Sequence, residues 1–359
     1  PTPSQSAPCN RPPRKAIRML HFDSDYMEGA HPAIIERLAS SNLEQTPGYG
    51  TDRYCASARE RIRAACAAPD AEVFFLVGGT QTNAVVLDQL LCPWEGVISA
   101  ETGHINGHEA GAVEACGHKI LQLPTHDGKL DPAEVEAYYA AWRENESWDH
   151  VAAPGVVYIS HPTESGSLYS LAELEELARI CRACGMRLFL DGARLGYGLA
   201  APTSDVTLPD IARLVDAFYI GGTKVGALCG EAAVFTRPQL AEHFFTMMKR
   251  RGAVLAKGRL LGLQFDTLFE DDRYLSIGRH AVELAHRLAA GFEAAGYKLA
   301  WDSPTNQQFV LMTEAQRDRL REHATFETWE HRDDGMLVMR FVCSWAAREE
   351  DVDALLALL

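Results

Sequence analysis

The chain has 359 residues, of which 47% are apolar and 23% are charged, and its 34 basic and 49 acidic side chains give a net charge of −15. This much apolar surface can offset the entropy of folding, which excludes disorder for most of the chain, and the negative charge disfavours nucleic acid as a partner. No run approaches about 18 apolar residues, so the sequence predicts no membrane span and no membrane partner.

The N-terminal segment, residues 1–16, is rich in proline, serine and basic residues and is predicted to be a mobile tail. It has no apolar stretch of the kind that a signal peptide needs. The nine cysteines are scattered, and an odd number in a chain of this size favours reduced thiols over disulfides. Together these features predict a cytoplasmic protein.

Strand-like and helix-like segments alternate from residue 17 to residue 262. Strands are predicted at 72–77, 96–99, 156–160, 187–190 and 217–220, and helices at 82–91 and 171–184. Strands separated by helices imply right-handed crossovers and a mostly parallel sheet with helices on both faces. The predicted fold class is therefore α/β, with residues 17–262 forming a large domain.

The pattern changes near Gly262. Two helical stretches, at about 261–271 and 276–296, are followed by short alternating runs at 308–312 and 336–342 and by a final helix at about 347–359. This mixture predicts a second, smaller α+β domain over residues 263–359.

A glycine-containing turn follows the first of these strands. In an open α/β sheet, ligands lie beyond the carboxyl ends of the strands. The string Gly78-Gly79-Thr80-Gln81 occupies that position and leads into a helix, whose N-terminal N–H groups attract anions. It is either a phosphate cup or an ordinary strand–helix turn, and it is not a P-loop because no Gly-Lys-Ser/Thr follows.

Two further strands end in charged residues. Asp191 follows the strand at 187–190, where burying a carboxylate is costly without a partner; the alternative is a helix cap or an ion pair with Arg194. Lys224 follows the strand at 217–220 among glycines, where a desolvated amine can act as a nucleophile; the alternative is a solvated loop lysine.

The three features together match the needs of pyridoxal 5′-phosphate (PLP). Its phosphate needs the anion cup, its aldehyde needs the lysine, and its ring nitrogen needs a carboxylate to stay protonated. A carboxylate about 4 Å from the pyridinium is worth up to about 4 kcal/mol at an effective dielectric constant of about 20. PLP is therefore the predicted cofactor.

Weaker candidates accompany this set. His104 either stacks on a cofactor ring and accepts a proton or is a hydrogen-bonded loop histidine. His104 and His108 have the spacing of half a metal site, but no third ligand is indicated, so no metal is predicted. Arg340 ends an apolar run and either pairs with a substrate carboxylate or lies on an edge strand.

At these residues the chain resembles the threonine aldolase family of PLP-dependent enzymes, which has the aspartate-aminotransferase fold (fold type I). The resemblance covers about residues 19–345. The strings that carry it are Phe22-Asp-Ser-Asp-Tyr-Met-Glu-Gly29, Gly48-Tyr-Gly-Thr-Asp52, Gly79-Thr80 with Asn83, Glu101-Thr-Gly-His104, Thr163-Glu-Ser-Gly166, Asp191-Gly-Ala-Arg194, Gly221-Gly-Thr-Lys224 and Arg340-Phe-Val-Cys-Ser-Trp345.

The resemblance implies how the cofactor is held. Lys224 would bind it covalently, Asp191 would pair with the ring nitrogen, and His104 would stack on the ring. The phosphate would be held by Gly79, Thr80 and Gln81. Lys257 would reach the phosphate of a neighbouring subunit, which implies a homodimer or homotetramer with shared active sites.

The resemblance also implies an amino acid substrate. Its carboxylate would be held by Ser24, Arg194 and Arg340, with Arg194 also near the cofactor. The implied reaction is retro-aldol cleavage of L-threonine, L-allo-threonine or a related β-hydroxy-α-amino acid to glycine and an aldehyde, with His104 or a water that it orients as the base. One segment departs from the family pattern, which has a histidine after Asn-Thr where this chain has Ser160-His-Pro-Thr-Glu164.

Three alternatives remain at this point. A PLP-dependent β-eliminating lyase or an amino-acid racemase would use the same lysine and aspartate. An NAD-dependent dehydrogenase is disfavoured because no Gly-x-Gly-x-x-Gly follows the first strand. A non-catalytic protein with the same fold would have no need for Lys224, Asp191 and the cup together.

Overall fold

The computed structural model describes residues 18–125 and 127–359. The predicted tail at 1–16 lies outside the described residues. Within the described ranges there are thirteen strands, numbered β1 to β13 in chain order: Leu20–His21, Glu72–Leu76, Glu95–Ala100, Ile120–Leu123, Ala153–Ser160, Arg187–Asp191, Ala217–Gly221, Glu231–Phe235, Lys298–Leu299, Gln307–Met312, Ala324–Thr325, Glu327–His331 and Leu337–Val342.

The same ranges contain thirteen α-helices, numbered α1 to α13: Pro32–Ser40, Arg53–Ala65, Gly79–Leu90, His104–Gly107, Pro132–Glu144, Leu171–Cys184, Leu195–Ala200, Leu208–Leu214, Phe244–Arg250, Arg259–Leu268, Arg273–Ala294, Glu314–Arg321 and Glu349–Leu356. Short 3₁₀ turns lie at Glu114–Cys116, Trp148–His150 and Pro238–Ala241. Among these helices, none carries an apolar stretch that could span a lipid bilayer.

A seven-stranded sheet with the order β2-β8-β7-β6-β5-β3-β4 forms the centre of the molecule. The pairs from β7 to β4 are parallel, and β8 runs antiparallel to both of its neighbours. The prediction of a mostly parallel α/β sheet is confirmed. The antiparallel strand β8 was not predicted.

Helices cover both faces of this sheet, as predicted. Successive strand residues point to opposite faces, and along β7 Phe218 and Ile220 join one core cluster while Ala217 and Tyr219 join another. The first cluster contains apolar residues of α1, α2, α6, α8 and α10, and the second contains residues of α3 and α9.

Helix α6 shows how local sequence sets element boundaries. Ser170 and Glu173 form a reciprocal capping box at its start, and Gly185 ends it in a left-handed conformation with φ of 71°. The predicted helix at 171–184 has the same bounds because both signals stand in the sequence.

The C-terminal region is built on a four-stranded antiparallel sheet with the order β12-β13-β10-β9. Its apolar cluster also takes in Leu20 and Phe22, because β1 pairs in parallel with β11. Helix α11 contributes Ile277 and Ala281 to the central-sheet core and residues from Leu284 onward to the C-terminal cluster. The predicted domain boundary at residue 262 stays a prediction.

Candidate active site

A cavity of about 300 Å³ brings together several of the residues singled out by the sequence. It is lined by Tyr26, His104, His108, Glu164, Arg194, Lys224, Glu327, Trp329 and Arg340. Four of these, namely His104, Arg194, Lys224 and Arg340, come from distant segments and were predicted to share one site. The cavity lies where loops following the central strands meet the C-terminal sheet.

Lys224 lies three residues after the end of β7. Burial lowers the pKa of Lys224, and the positive charge of Arg194 lowers it further. Tyr197 donates its hydroxyl hydrogen to the backbone carbonyl of Lys224 and so fixes the backbone of this loop. A lowered pKa increases the fraction of unprotonated amine, which is the form that attacks a carbonyl.

Glu231 on β8 supports the same loop, and the sequence analysis did not identify it. Its carboxyl group accepts the N–H of Gly222 at 3.0 Å and the hydroxyl of Thr223 at 2.8 Å. Burial raises the pKa of Glu231 to about 8. The available signal was an acidic residue beginning the apolar run Glu231-Ala-Ala-Val-Phe235.

Asp191 is the last residue of β6 and is almost fully buried. Burial alone would raise its pKa, but the charge of His104 and several hydrogen bonds lower the pKa below its ordinary value. Its two oxygens accept four hydrogen bonds, from Asn83 Nδ2 at 2.9 Å, Tyr158 hydroxyl at 2.6 Å, Tyr219 hydroxyl at 2.5 Å and the Ala193 N–H at 2.9 Å. Asp191 is therefore an ionised, fixed carboxylate.

Arg194 pairs with Asp25 and not with Asp191, so the alternative of a local Asp191–Arg194 ion pair is wrong. Its Nε and Nη2 atoms lie 2.7 Å and 3.0 Å from the two carboxylate oxygens of Asp25. Asn306 Nδ2 donates to the same carboxylate at 3.0 Å. Burial raises the pKa of Asp25, but the charges of Arg194 and Lys224 and these hydrogen bonds bring it down to about 2.

His104 opens α4 at the edge of the cavity. Its Nδ1 lies 2.9 Å from Oε1 of the buried Glu109, which also accepts from Asn83 Nδ2 at 2.8 Å. Burial lowers the pKa of His104, but the hydrogen bond with Glu109 and the charge of Asp191 outweigh that effect and raise it. Because Asn83 also donates to Asp191, His104 and Asp191 belong to one buried polar network.

Arg340 on β13 reaches the cavity from the C-terminal sheet. Its Nη1 donates to Gln307 Oε1 at 3.0 Å, and it forms an ion pair with Glu327. Its guanidinium carbon lies 5.1 Å from the centre of the Trp329 ring. Within the part of the chain that the structure describes, its buried Nε has no hydrogen-bond partner.

The first turn of α3 carries the predicted phosphate-binding residues Gly79, Thr80 and Gln81. No described side chain caps this helix, and a Cβ placed on Gly78 would meet nothing within 4 Å. The helix N-terminus therefore faces open space. This turn also lies against the network of Asp191, because a Cβ on Gly79 would approach the Tyr219 hydroxyl to 3.2 Å.

Six predicted residues do not line this cavity: Asp191, Gly79, Thr80 and Gln81, which are described above, and Ser24 and Lys257. Ser24 is half-buried, and its hydroxyl oxygen accepts the N–H of Tyr26 at 3.3 Å. Lys257 is exposed in the loop before α10. Among the described residues, no group of three or more His, Cys, Asp or Glu side chains is placed to hold a metal ion.

The segment Ser160-His-Pro-Thr-Glu164 places a carboxylate in the cavity and its histidine elsewhere. His161 is fully buried, its Nδ1 accepts the Tyr169 N–H at 3.3 Å, and burial lowers its pKa to about 4. Glu164 lines the cavity instead. Sequence reasoning did not select Glu164; its only signal was an acidic residue four positions beyond the end of β5.

Comparison with known proteins gives matches over most of the chain. The family model described as Beta-eliminating lyase matches residues 21–315. The Low specificity L-threonine aldolase of Pseudomonas sp. (strain NCIMB 10558) is 32% identical over 94% of this chain and 96% of its own length. The enzyme of the same name from Pseudomonas aeruginosa is 32% identical over 90% of this chain and 92% of its own length.

Solved structures agree with this result. The structure of Leishmania major threonine aldolase has a TM-score of 0.91 and 42% sequence identity, covering 94% of this chain and 98% of its own. Aspartate aminotransferase from Thermus thermophilus has a TM-score of 0.69 at 16% identity, covering 95% of this chain and 91% of its own. At that identity the second match establishes the fold alone.

Proposed function

This chain belongs to the family of the β-eliminating lyases and low-specificity L-threonine aldolases, and from that premise we propose that it is a PLP-dependent carbon–carbon lyase. Its reaction is the retro-aldol cleavage of L-threonine, L-allo-threonine or a related β-hydroxy-α-amino acid to glycine and an aldehyde. The observation that carries the proposal is the single cavity around which Lys224, His104, Arg194 and Arg340 meet.

The residues around the cavity fit PLP. Lys224 supplies an amine of lowered pKa, Asp191 supplies an ionised carboxylate, and the open space beside Gly78 adjoins a helix N-terminus suited to a phosphate. Asp191 already accepts four hydrogen bonds, so a pyridinium N–H would take the place of one rotatable tyrosine hydroxyl. When bound, PLP supplies an electron sink for the bond broken at Cα.

The other residues would bind and orient the amino acid. Arg340 has an unpaired Nε and a guanidinium that can pair with the substrate carboxylate. Arg194 adds positive charge at the same cavity while its own position is set by Asp25. Fixing the carboxylate selects which bond at Cα is aligned for cleavage, because the same cofactor also supports decarboxylation, racemisation and transamination.

The proposal includes a homodimer or homotetramer in the cytoplasm, with the phosphate of one subunit contacted by Lys257 of another. Two features support shared sites. Lys257 is exposed and lies outside the cavity of its own chain. Large apolar side chains close to it in the chain or hydrogen-bonded to its loop are also exposed, including Leu260 at 42% and Tyr49 at 49%.

The test combines spectroscopy with product analysis. The purified protein should show the absorbance band of lysine-bound PLP, and Lys224→Ala should lose both the band and all turnover. L-Threonine should yield glycine and acetaldehyde. Formation of 2-oxobutanoate would indicate a β-eliminating lyase, epimerised threonine would indicate a racemase, and a protein that never binds PLP would refute the proposal.

A further inference from the structure

Glu164 differs from the other acidic groups of the cavity because one of its oxygens is unused. Its Oε1 accepts the hydroxyl hydrogen of Ser160 at 2.8 Å. Its Oε2 is buried and, in residues 18–125 and 127–359, has no hydrogen-bond partner. A buried carboxylate oxygen without a partner is costly, so its retention beside a ligand cavity indicates a role completed by a ligand.

Most of the remaining polar groups of the cavity are committed to other contacts. His104 is hydrogen-bonded to Glu109 through Nδ1. His108, whose pKa is lowered by burial and by the charge of His104, is the other side chain of the cavity able to accept a proton. Glu327 is exposed and paired with Arg340. Lys224 is assigned to the cofactor, and Arg194 and Arg340 are cationic side chains assigned to the carboxylate.

The geometry points to Glu164 as the catalytic base that accepts the proton of the substrate's β-hydroxyl group. This inference rests on the proposed aldolase function and deepens it. It replaces His104, or a water that His104 orients, which the sequence suggested for this step. The substrate β-hydroxyl would donate to Oε2, and Ser160 would hold the carboxylate through Oε1.

The step balances within the proposed reaction. The O–H bond breaks, its proton moves to Glu164 Oε2, and its electron pair becomes the second bond of the aldehyde carbonyl. The Cα–Cβ bond breaks, and its electron pair remains on Cα, where the bound PLP ring would delocalise it. After the aldehyde leaves, Glu164 releases its proton to solvent and Cα takes up one proton from solvent to give glycine, so the net proton count is unchanged.

The electrostatic setting of Glu164 is suited to a base. Burial raises its pKa, and the negative charge of Asp191 raises it further, while His104 acts in the opposite direction. A base works best when its pKa lies close to the working pH. The titratable and charged groups that share its cavity are Tyr26, His104, His108, Arg194, Lys224, Glu327 and Arg340, so its titration will depend on all of them.

The backbone around Glu164 is tied to the carboxylate-binding arginine. Gln307 on β10 donates from Nε2 to the Glu164 carbonyl at 3.4 Å and accepts from Arg340 at Oε1. One side chain therefore contacts both the backbone of Glu164 and the arginine predicted to bind the substrate carboxylate.

The test is Glu164→Gln in the PLP-loaded enzyme. We expect kcat for L-threonine to fall by about 100- to 10 000-fold, the range for losing a general base. The acidic limb of the pH profile of kcat/KM should disappear. The PLP absorbance band and the Kd for 2-aminobutanoate, which has the size of threonine but no hydroxyl, should stay within twofold of wild type.

A matched control is Glu293→Gln, which changes an exposed acid on α11 outside the cavity and should leave cleavage unchanged. If Glu164→Gln keeps cleavage within threefold of wild type, Glu164 is not the base. Loss of the PLP band or of 2-aminobutanoate binding in parallel with cleavage would make Glu164 structural and would also overturn the inference. Wild-type enzyme that binds PLP but cleaves no β-hydroxy amino acid would refute the proposed function itself.

Discussion

The two ends of the candidate site differ in how fully their carboxylates, Asp191 and Glu164, are hydrogen-bonded. At the closed end, on the central sheet, Asp191 accepts four hydrogen bonds. The donors lie on α3, on β5, on β7 and in the loop that follows β6. At the open end, where the C-terminal sheet meets the loop after β5, the buried Glu164 Oε2 and Arg340 Nε have no partner among the described residues.

This difference indicates which end is preformed. The closed end keeps an ionised carboxylate in place with protein groups alone, so its electrostatics do not depend on the amino acid that is bound. The open end has one free acceptor and one free donor, which match a hydroxyl group and a carboxylate. Among the described residues, Asn83 Oδ1 and Glu109 Oε2 in the Asp191 network also have no partner, so it is their position in the cavity lining that assigns Glu164 and Arg340 to the substrate end.

Asp191→Asn tests the closed end and should have a larger effect than Arg340→Ala or Lys257→Ala. The substitution keeps the size of the side chain but removes the charge, and a loss of about three pKa units at the pyridine nitrogen corresponds to about a thousandfold fall in kcat. Steady-state kinetics and the PLP absorbance should be measured together. Asp149→Asn, at an exposed residue, is the control, and near-normal turnover of Asp191→Asn would remove this carboxylate from the mechanism.

The free energy of unfolding should depend on pH through His161, which lies beside the closed end. Its backbone N–H donates to the backbone carbonyl of Asp191. Burial lowers the folded-state pKa of His161 from 6.5 to about 4. As pH falls, the unfolded state therefore binds a proton at His161 before the folded state does. The contribution of the neutral, buried imidazole to the free energy of unfolding is complete above about pH 6.5 and is lost toward pH 4. The full contribution is about 3 kcal/mol.

Denaturant unfolding of wild type and His161→Gln at pH 7.5 and pH 4.5 measures this effect. The wild type should lose about 2.5 kcal/mol relative to the variant over that interval. His150→Gln, which removes an exposed histidine, should behave like wild type. If wild type and His161→Gln differ by the same free energy of unfolding at both pH values, the pKa of His161 is not lowered by folding.

Arg340→Ala tests the open end. It removes the free donor and leaves Glu327 without its ion pair, and we expect kcat/KM for threonine to fall about a hundredfold, mainly through KM, as for the loss of a charge-assisted pair. Arg340→Lys should recover little, because lysine cannot form the bidentate pair. Arg332→Ala is the exposed control; an unchanged KM in Arg340→Ala would contradict the carboxylate role.

Lys257→Ala tests whether the site extends across subunits and should have the smallest effect. Loss of one charge-assisted contact to phosphate should weaken PLP binding by about tenfold, measured by titrating apoenzyme with PLP. Lys298→Ala, an exposed lysine of β9, is the control. A monomer by analytical ultracentrifugation, or unchanged PLP affinity in Lys257→Ala, would rule out a shared phosphate site.

The fold was predictable where an apolar run was long and ended in a clear turn or capping signal. The predicted strands at 187–190 and 217–220 correspond to β6 and β7, and α6 carried its own capping signals. Strands β1, β9 and β11 have two residues each, which is too short for any periodicity. Strand β8 contains two alanines, which have low strand propensity, so its antiparallel insertion comes from tertiary packing.

The site was predictable where residues directly follow central strands. Asp191 and Lys224 could be inferred because parallel strands end at one edge of a sheet. Glu164 could not, because a loop and not a strand directs its side chain into the cavity. Likewise, the pairing of Arg194 with Asp25 joins residues 169 positions apart, and no local pattern reports such a contact.

The pairing of β1 with β11 has a consequence for the order in which the protein can assemble during synthesis. Residues 21 and 325 are 304 positions apart, so the first described strand cannot pair until β11 has left the ribosome. Because Asp25 lies just after that strand and anchors Arg194, a ribosome-bound fragment that stops before β11 would leave this arginine without its fixed geometry. Competence to bind an amino acid is thus acquired only after β11 has been synthesised.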